Sequence, residues 1–318
     1  MPGAAWLTPR RSWGLRVAMA GLVLIALVLF LRGFYLRELY QYTGEAEWIW
    51  PSNDLHAPHP MAAAFYRVVR LHERPLEAVA KICGDRSYVL WINGQLAMAG
   101  YNRPAYHLDV VPVTDLLNPG PNLFVIEARS PTSAGGVLFS LDLMPSVEGR
   151  REGDPRGRSV VVSNASWKVM DHAWQGYPGQ EPHGGDPPWI WGRPPDHPWV
   201  YPLAIRHDLP LAQGLSGTEV RLTASAFHRG SDGIWRHRLG QWFRGLLRLD
   251  GKLPGPGELA VRVRGEADDP PAFRPVIPLP GQEHWIFGGP VEGSVVEIEG
   301  EKPTVSVVLL PLDQNAGP

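Results

Sequence analysis

The sequence predicts a mainly β protein in which an N-terminal transmembrane helix precedes two β-rich domains. Three observations carry this. Short strand-like runs recur every 8 to 12 residues or so, the spacing of sandwich folds. The 35 Gly and 33 Pro of the 318 residues are scattered between β-branched and aromatic runs, which marks a turn-rich β chain rather than a disordered one. Near the start, residues 17–31 read VAMAGLVLIALVLFL without a charge. The length suits about two domains. The net charge of -2, with signs interspersed, leaves no basic stripe and argues against a nucleic-acid partner.

The apolar run would rise about 22 Å as a helix at 1.5 Å per residue. Arg16 and Arg32 can snorkel from its ends, and Trp13, Phe34, Tyr35 and Leu36 extend its interfacial zone, so a span over 13–36 is predicted. A cleaved signal peptide is the rival reading, but the bulky, charged RGFYLRELYQY follows the run and offers no small-residue cleavage site. Arg10, Arg11 and Arg16 before the span outnumber Arg32 and Arg37 after it, which predicts a cytoplasmic tail (1–12) and extracytoplasmic domains. Cys83 is the one cysteine, so no internal disulfide forms, and its apolar neighbour Ile82 predicts a buried thiol.

A stalk is expected over 37–44. Strand-like runs then follow: AEWIW, AAFYRVVRL, LEAVAKICG, SYVLWING, QLAMAG, AYHLDVV, NLFVIEARS and GVLFSLDLM. Asn93-Gly94 marks a hairpin turn, because both residues tolerate positive φ. VTDLL predicts one helical turn before the breaker NPGPN. The segment DHAWQGYPGQEPHGGDPPWIWGRPPDHPWVYP (171–202) has little strand or helix period and must be functional or packed down by its own aromatics. A second β pattern starts at residue 203. Within it, IWRHRLGQWFRGLLRL leaves a strand and a short amphipathic helix both open.

AEWIWPSND, FYRVVRL, AVAKICGDRSYVLWINGQLAMAG, YHLDVVPVTDLLNPGPNLFVIEARS and SNASWKV occur in this order. Together they resemble the galactose-binding-like jelly-roll accessory domain of bacterial α-L-rhamnosidases and related glycoside hydrolases. The resemblance covers residues 45–170 and implies a jelly-roll β-sandwich; such sandwiches often hold a structural calcium, for which Asp54 is a conceivable ligand. In that family hydrolysis takes place on a separate (α/α)-barrel. No series of amphipathic helices follows residue 202, so a noncatalytic role is expected. The predicted division is a tail (1–12), a transmembrane helix (13–36), a stalk (37–44), a jelly-roll (45–172), a Pro/Trp-rich linker (173–202) and a second β-rich domain (203–318).

Other chemistries have weak signals. Acids such as Asp54, Asp109, Asp115, Glu127, Asp171, Glu181, Asp268 and Asp269 are available for glycoside hydrolysis, which needs two carboxyls about 5 to 10 Å apart, but sequence does not pair them. His56 and His59 in HAPH, His183 and His197 could contribute metal ligands, yet prolines keep HAPHP extended, and no metal or cofactor is assigned. GKLPGPGE has the wrong order for a phosphate loop, and no Gly-x-Ser-x-Gly elbow occurs.

The remaining signal is aromatic. Indole rings cover the C–H faces of sugars while polar neighbours bond the hydroxyls. Trp174, Tyr177, Trp189, Trp191 and Trp199, with Asp186 and Asp196, have that composition and are the candidate carbohydrate-binding residues. The alternative is that these rings only fill a groove between domains. Trp48, Trp50, Trp91 and Trp167 fall on strands and are expected in the core. The expected function is a membrane-anchored, noncatalytic carbohydrate-binding protein of the cell envelope. The alternatives are a protein-interaction subunit of an envelope complex and a glycoside hydrolase with an unrecognised site.

Overall fold

The structure, a computed structural model, describes residues 9–41, 43–53, 56–102, 107–144, 158–194, 204–206, 215, 218–265 and 271–312. Residues 1–42 and 43–318 form two compact units.

The first unit contains one helix, α1 (Pro9–Gln41). Its apolar side chains stand exposed, Leu22 at 67% and Phe30 at 69%. The predicted membrane span over 13–36 is corrected here: among the described residues, no helix is long and apolar enough to cross a membrane. The uncharged stretch 17–31 rises only about 22 Å, against a hydrocarbon core of ~30 Å.

The second unit is mainly β, as expected. Its first part comprises β1 (Trp48–Trp50), β2 (Met61–Leu71), β3 (Glu77–Gly84), β4 (Ser87–Ile92), β5 (Gln95–Tyr101), β6 (His107–Pro112), β7 (Gly120–Ser130), β8 (Val137–Met144), β9 (Arg158–Val162), β10 (Lys168–Met170), β11 (Trp189–Gly192) and β12 (Ala204–Arg206). One sheet runs β11-β1-β8-β3-β6-β12, with β9 on β8, and the other runs β10-β2-β7-β4-β5. Pairing is antiparallel except for β12, which lies parallel to β6. Between the sheets Trp50, Phe65, Leu90, Phe124, Phe139 and Trp167 form one core. The helical turn predicted in VTDLL is a 3-10 turn over Thr114–Leu116.

Strand β7 shows how the outer face is used. Phe124, Ile126 and Ala128 point into this core, whereas Leu123 and Val125 join a separate cluster with Tyr66 and Leu279. The period of two therefore sends Glu127 and Arg129 outward as well. Both are nonetheless buried, at 1% and 2% exposure, because the following chain covers this face.

Asn93 (φ 53°) and Gly94 (φ 77°) turn β4 into β5, with Ile92 opposite Gln95, the two-residue primed hairpin that Asn-Gly favours. The Asn93 amide also donates to Leu116 O at 2.8 Å and Asn122 Oδ1 at 2.9 Å, while its Oδ1 accepts from Leu123 N at 2.9 Å.

The second part comprises β13 (Val220–Leu222), β14 (His228–Arg229), β15 (Trp235–Asp250), β16 (Leu259–Arg264), β17 (Arg274–Pro275), β18 (His284–Ile286), β19 (Val291–Gly300) and β20 (Ser306–Pro311). They form one sheet in the order β13-β20-β15-β19-β16-β17, with β14 and β18 also on β15. IWRHRLGQWFRGLLRL is thus resolved as strand. Trp235, Leu239, Phe243, Leu247 and Leu249 take part in one core cluster, so odd positions point inward along β15 despite the register shift between Arg238 and Phe243. Leu246, Val308, Leu310 and Ile286 occupy the opposite face and pack on Val89 and Ala99 of the first sandwich.

Candidate functional site between the two β domains

After β10, the chain from Asp171 to Asp186 crosses the outer face of the β10-β2-β7-β4-β5 sheet. Aromatic rings hold it there: Trp174 lies 5.9 Å from Tyr66 and meets Tyr177 edge-on at 4.7 Å. Trp174 Nε1 donates to Gln180 O at 2.6 Å, closing the turn. Tyr66 donates its hydroxyl to Gly184 O, and Ala173 N bonds Pro280 O at 2.9 Å, which ties the segment to the second domain.

Beneath the segment lies a buried polar knot. Glu127 Oε1 accepts from Arg129 through Nε at 2.7 Å and also through Nη2. Its Oε2 accepts from the Tyr177 hydroxyl at 2.8 Å and from Gln282 Nε2 at 2.9 Å. Arg129 then donates Nη1 to Ile286 O at 2.6 Å and lies 4.7 Å from the Trp285 ring centre. Each buried charge has its partner, the condition under which such groups are tolerated. Burial, together with the Glu127 charge, pushes the Tyr177 hydroxyl well above the ordinary tyrosine value.

Above this knot opens a cleft of about 850 Å³ between the domains. Small-molecule sites range over ~300–1,000 Å³, so the size suits a ligand of several rings. One wall is aromatic and apolar, made by Trp91, Leu96, Trp174 and Tyr177, and the other carries Glu219, Arg248, Gln282, Glu283 and His284 beside the apolar Leu215, Ile286 and Leu310. A linked charge array supports the polar wall. Arg248 Nε bonds Asp250 Oδ1 at 2.7 Å and Nη2 lies 3.5 Å from Glu219. Asp250 also accepts from Arg221 at 2.9 Å and sits 2.9 Å from His284 Nδ1. Burial raises the Asp250 pKa, but the bonds from Arg248 and His284 outweigh it and hold the carboxyl below its ordinary value. The His284 side chain is 65% exposed, so it faces the opening.

The structure brings together two of the predicted residues, Trp174 and Tyr177, in this cleft. Trp189 and Trp191 lie instead on β11, opposite β1; Trp191 Nε1 donates to Gly135 O at 3.1 Å and Trp189 is 44% exposed. Asp186 forms a backbone bridge with Val169, and its side chain is exposed. Trp199 and Asp196 lie outside the described residues, as do Asp54, His197, Asp268 and Asp269. Trp48, Trp50 and Trp167 are core residues, whereas Trp91, also expected there, lines the cleft. Its neighbours Leu90 and Ile92 belong to the core cluster, so the strand's period of two turns Trp91 outward. That alternation was the available signal for Trp91. No local pattern marks Glu219, Arg248 or His284, which converge from separate strands and turns. His56, His59 and His183 are exposed and Cys83 is buried. Among the described residues, no group of three or more His, Cys, Asp or Glu is placed to hold a metal ion.

No family model matches the chain, and no curated protein matches it. The likeness to α-L-rhamnosidases expected from the sequence landmarks is found among solved structures. The α-L-rhamnosidase from Dictyoglumus thermophilum is 12% identical with a TM-score of 0.46 and covers 83% of this chain and 35% of its own. The enzyme from Aspergillus terreus is 15% identical with a TM-score of 0.48, covering 84% of this chain and 36% of its own. A Pleurotus ostreatus lectin in complex with GalNAc is 15% identical with a TM-score of 0.39, covering 85% and 80%. The chain thus spans about a third of the length of these rhamnosidases.

Proposed function

We propose that residues 43–318 bind a carbohydrate, without cleaving it, in the cleft between the two β domains. The observation that carries this reading is the opposition of walls: Trp91, Trp174 and Tyr177 on one side, and Glu219, Arg248, Gln282 and His284 on the other. A pyranose presents apolar C–H faces and a polar hydroxyl edge, so it matches one wall with each. Arginine, acid and amide side chains held by fixed bonds offer the directional donors and acceptors that small polar ligands require. Affinity electrophoresis of the full chain through gels containing plant, microbial and envelope polysaccharides tests the reading. Retardation by at least one polysaccharide, relieved by its free oligosaccharide, is expected; unchanged mobility in all of them overturns it.

Membrane association through α1 is the second part of the proposal. Its support is the uncharged stretch 17–31, whose side chains stand exposed around the helix, since a helix apolar on every side has to be covered by lipid or protein. Washing isolated cell membranes with high-salt buffer should leave the chain in the pellet. Release into the supernatant together with stoichiometric protein partners would instead favour an interaction subunit of an envelope complex.

A further inference from the structure

The cleft between the two β domains is wider than one sugar. We infer that it takes a run of about two to three linked pyranose units rather than a single terminal sugar, an inference that rests on reading the cleft as a carbohydrate site.

Sheet order is the first argument. Glu219 immediately precedes β13, Leu310 lies on β20, Arg248 on β15 and His284 and Ile286 on β18, and all of them line the cleft. Arg248 stands opposite Val308 of β20 and opposite Ile286 of β18, so these two strands flank β15, and β13 lies beyond β20. One wall therefore extends over four neighbouring strands. Three spacings of ~4.8 Å set the outer two about 14 Å apart, whereas a pyranose ring is only about as wide as one spacing.

The polar groups of this wall form a row that crosses the strands. Glu219 lies 3.5 Å from Arg248 Nη2, Arg248 Nε donates to Asp250 Oδ1 at 2.7 Å, and the same oxygen is 2.9 Å from His284 Nδ1. Glu219 and His284 occupy the two ends with side chains 53% and 65% exposed, while Asp250 is buried beneath them. Hydroxyl groups of successive units would meet Glu219, Arg248 and His284 in turn. Leu310 and Ile286 supply apolar surface along the row.

The opposite wall is divided as well. Trp91 stands on β4, and Trp174 and Tyr177 on the segment after β10. The planes of Trp174 and Tyr177 meet at 88°, so a sugar stacked flat on one presents only its rim to the other, and the rings serve different units. Volume agrees with this count. At the ~30 Å³ that a water claims in the liquid, the cleft's 850 Å³ admits about 28 non-hydrogen atoms, and a pyranose unit has roughly eleven.

The test is isothermal titration of the full chain, in a detergent without a sugar headgroup, with cello-, xylo-, manno-, chito- and galacturono-oligosaccharides of about one to six units, a range that brackets the expected length. In the series that bind, affinity should rise about tenfold or more from one unit to three, and change less than about threefold beyond that. Glu219→Gln and His284→Gln, at opposite ends of the row, should each weaken binding of the three-unit sugar about fivefold or more. A single sugar as tight as its trimer, affinity still climbing past three units, or a loss confined to one variant would overturn the inference while leaving a carbohydrate site in place. Failure of all five series to bind would overturn it too; if the polysaccharide gels then also show no retardation, the carbohydrate reading falls with it.

Discussion

The Tyr177 hydroxyl donates to Glu127 Oε2 at 2.8 Å, joining the segment after β10 to the central strand β7. Gln282 reaches the same oxygen from the second domain, so three separate parts of the chain meet on one buried carboxylate. Tyr177→Phe removes one donor and should destabilise the protein by about 1–3 kcal/mol. Glu127→Gln should destabilise it more, by roughly 3–5 kcal/mol, because it leaves the Arg129 charge buried without its counterion. Urea denaturation of the two variants checks the order; a larger loss in Tyr177→Phe would contradict it.

Carbohydrate retention should depend on the cleft and not on aromatic composition alone. Truncating a ring that forms a binding wall commonly costs 2 kcal/mol or more, which is roughly thirtyfold in affinity. Trp91→Ala and Trp174→Ala are therefore expected to weaken retention in affinity gels. Trp189→Ala, on β11 opposite β1, should leave it unchanged. Equal losses in all three variants would remove the distinction.

Acid should weaken the second domain through two carboxylates. Burial tends to raise the Glu297 value, but Arg236, Arg264 and Arg262 outweigh it and keep the group below its ordinary 4.5; Asp250 is likewise held below 3.8. A depressed carboxyl in the folded state means that the unfolded chain binds protons more readily. The associated stability is complete above the ordinary carboxylate range and is lost as pH falls through and below it. Melting temperature should thus decline on acidification below about pH 4.5, and less steeply in Glu297→Gln. A wild-type curve flat to the lowest pH that preserves solubility would count against this linkage.

The hairpin turn is predicted to be structural. Asn93→Gly keeps the positive φ but loses three side-chain bonds, and should cost about 1–3 kcal/mol in thermal or chemical unfolding. Gly94→Ala should be worse, since its Cβ would stand 2.8 Å from Gly179 Cα at a φ of 77°. Properly folded Asn93→Gly should retain carbohydrate like the parent; weakened retention would mean that Asn93 contacts ligand.

Much of the fold was legible in the sequence because strand alternation and turn chemistry are local. Asn93-Gly94 announced its hairpin, and Trp48, Trp50 and Trp167 their core. The stretch 234–249 was ambiguous because arginines and glycines interrupt its alternation, and only the cross-strand partners of β15 reveal the inward set Trp235, Leu239, Phe243, Leu247 and Leu249. The cleft was half legible. Trp174 and Tyr177 stood out by composition, whereas Trp191, of the same type and nearby, was drawn onto an edge strand by pairing with β1. Glu219, Arg248 and His284 become neighbours through sheet order, which one sequence does not encode locally.

Gly94 and Gly179 press backbone against backbone, so the tip of one hairpin braces the turn that carries Trp174 and Tyr177. With that brace the aromatic wall should hold one shape before a ligand arrives. Stopped-flow traces should then show single-exponential capture whose observed rate climbs linearly with oligosaccharide concentration, free of the plateau that a preceding isomerisation would impose.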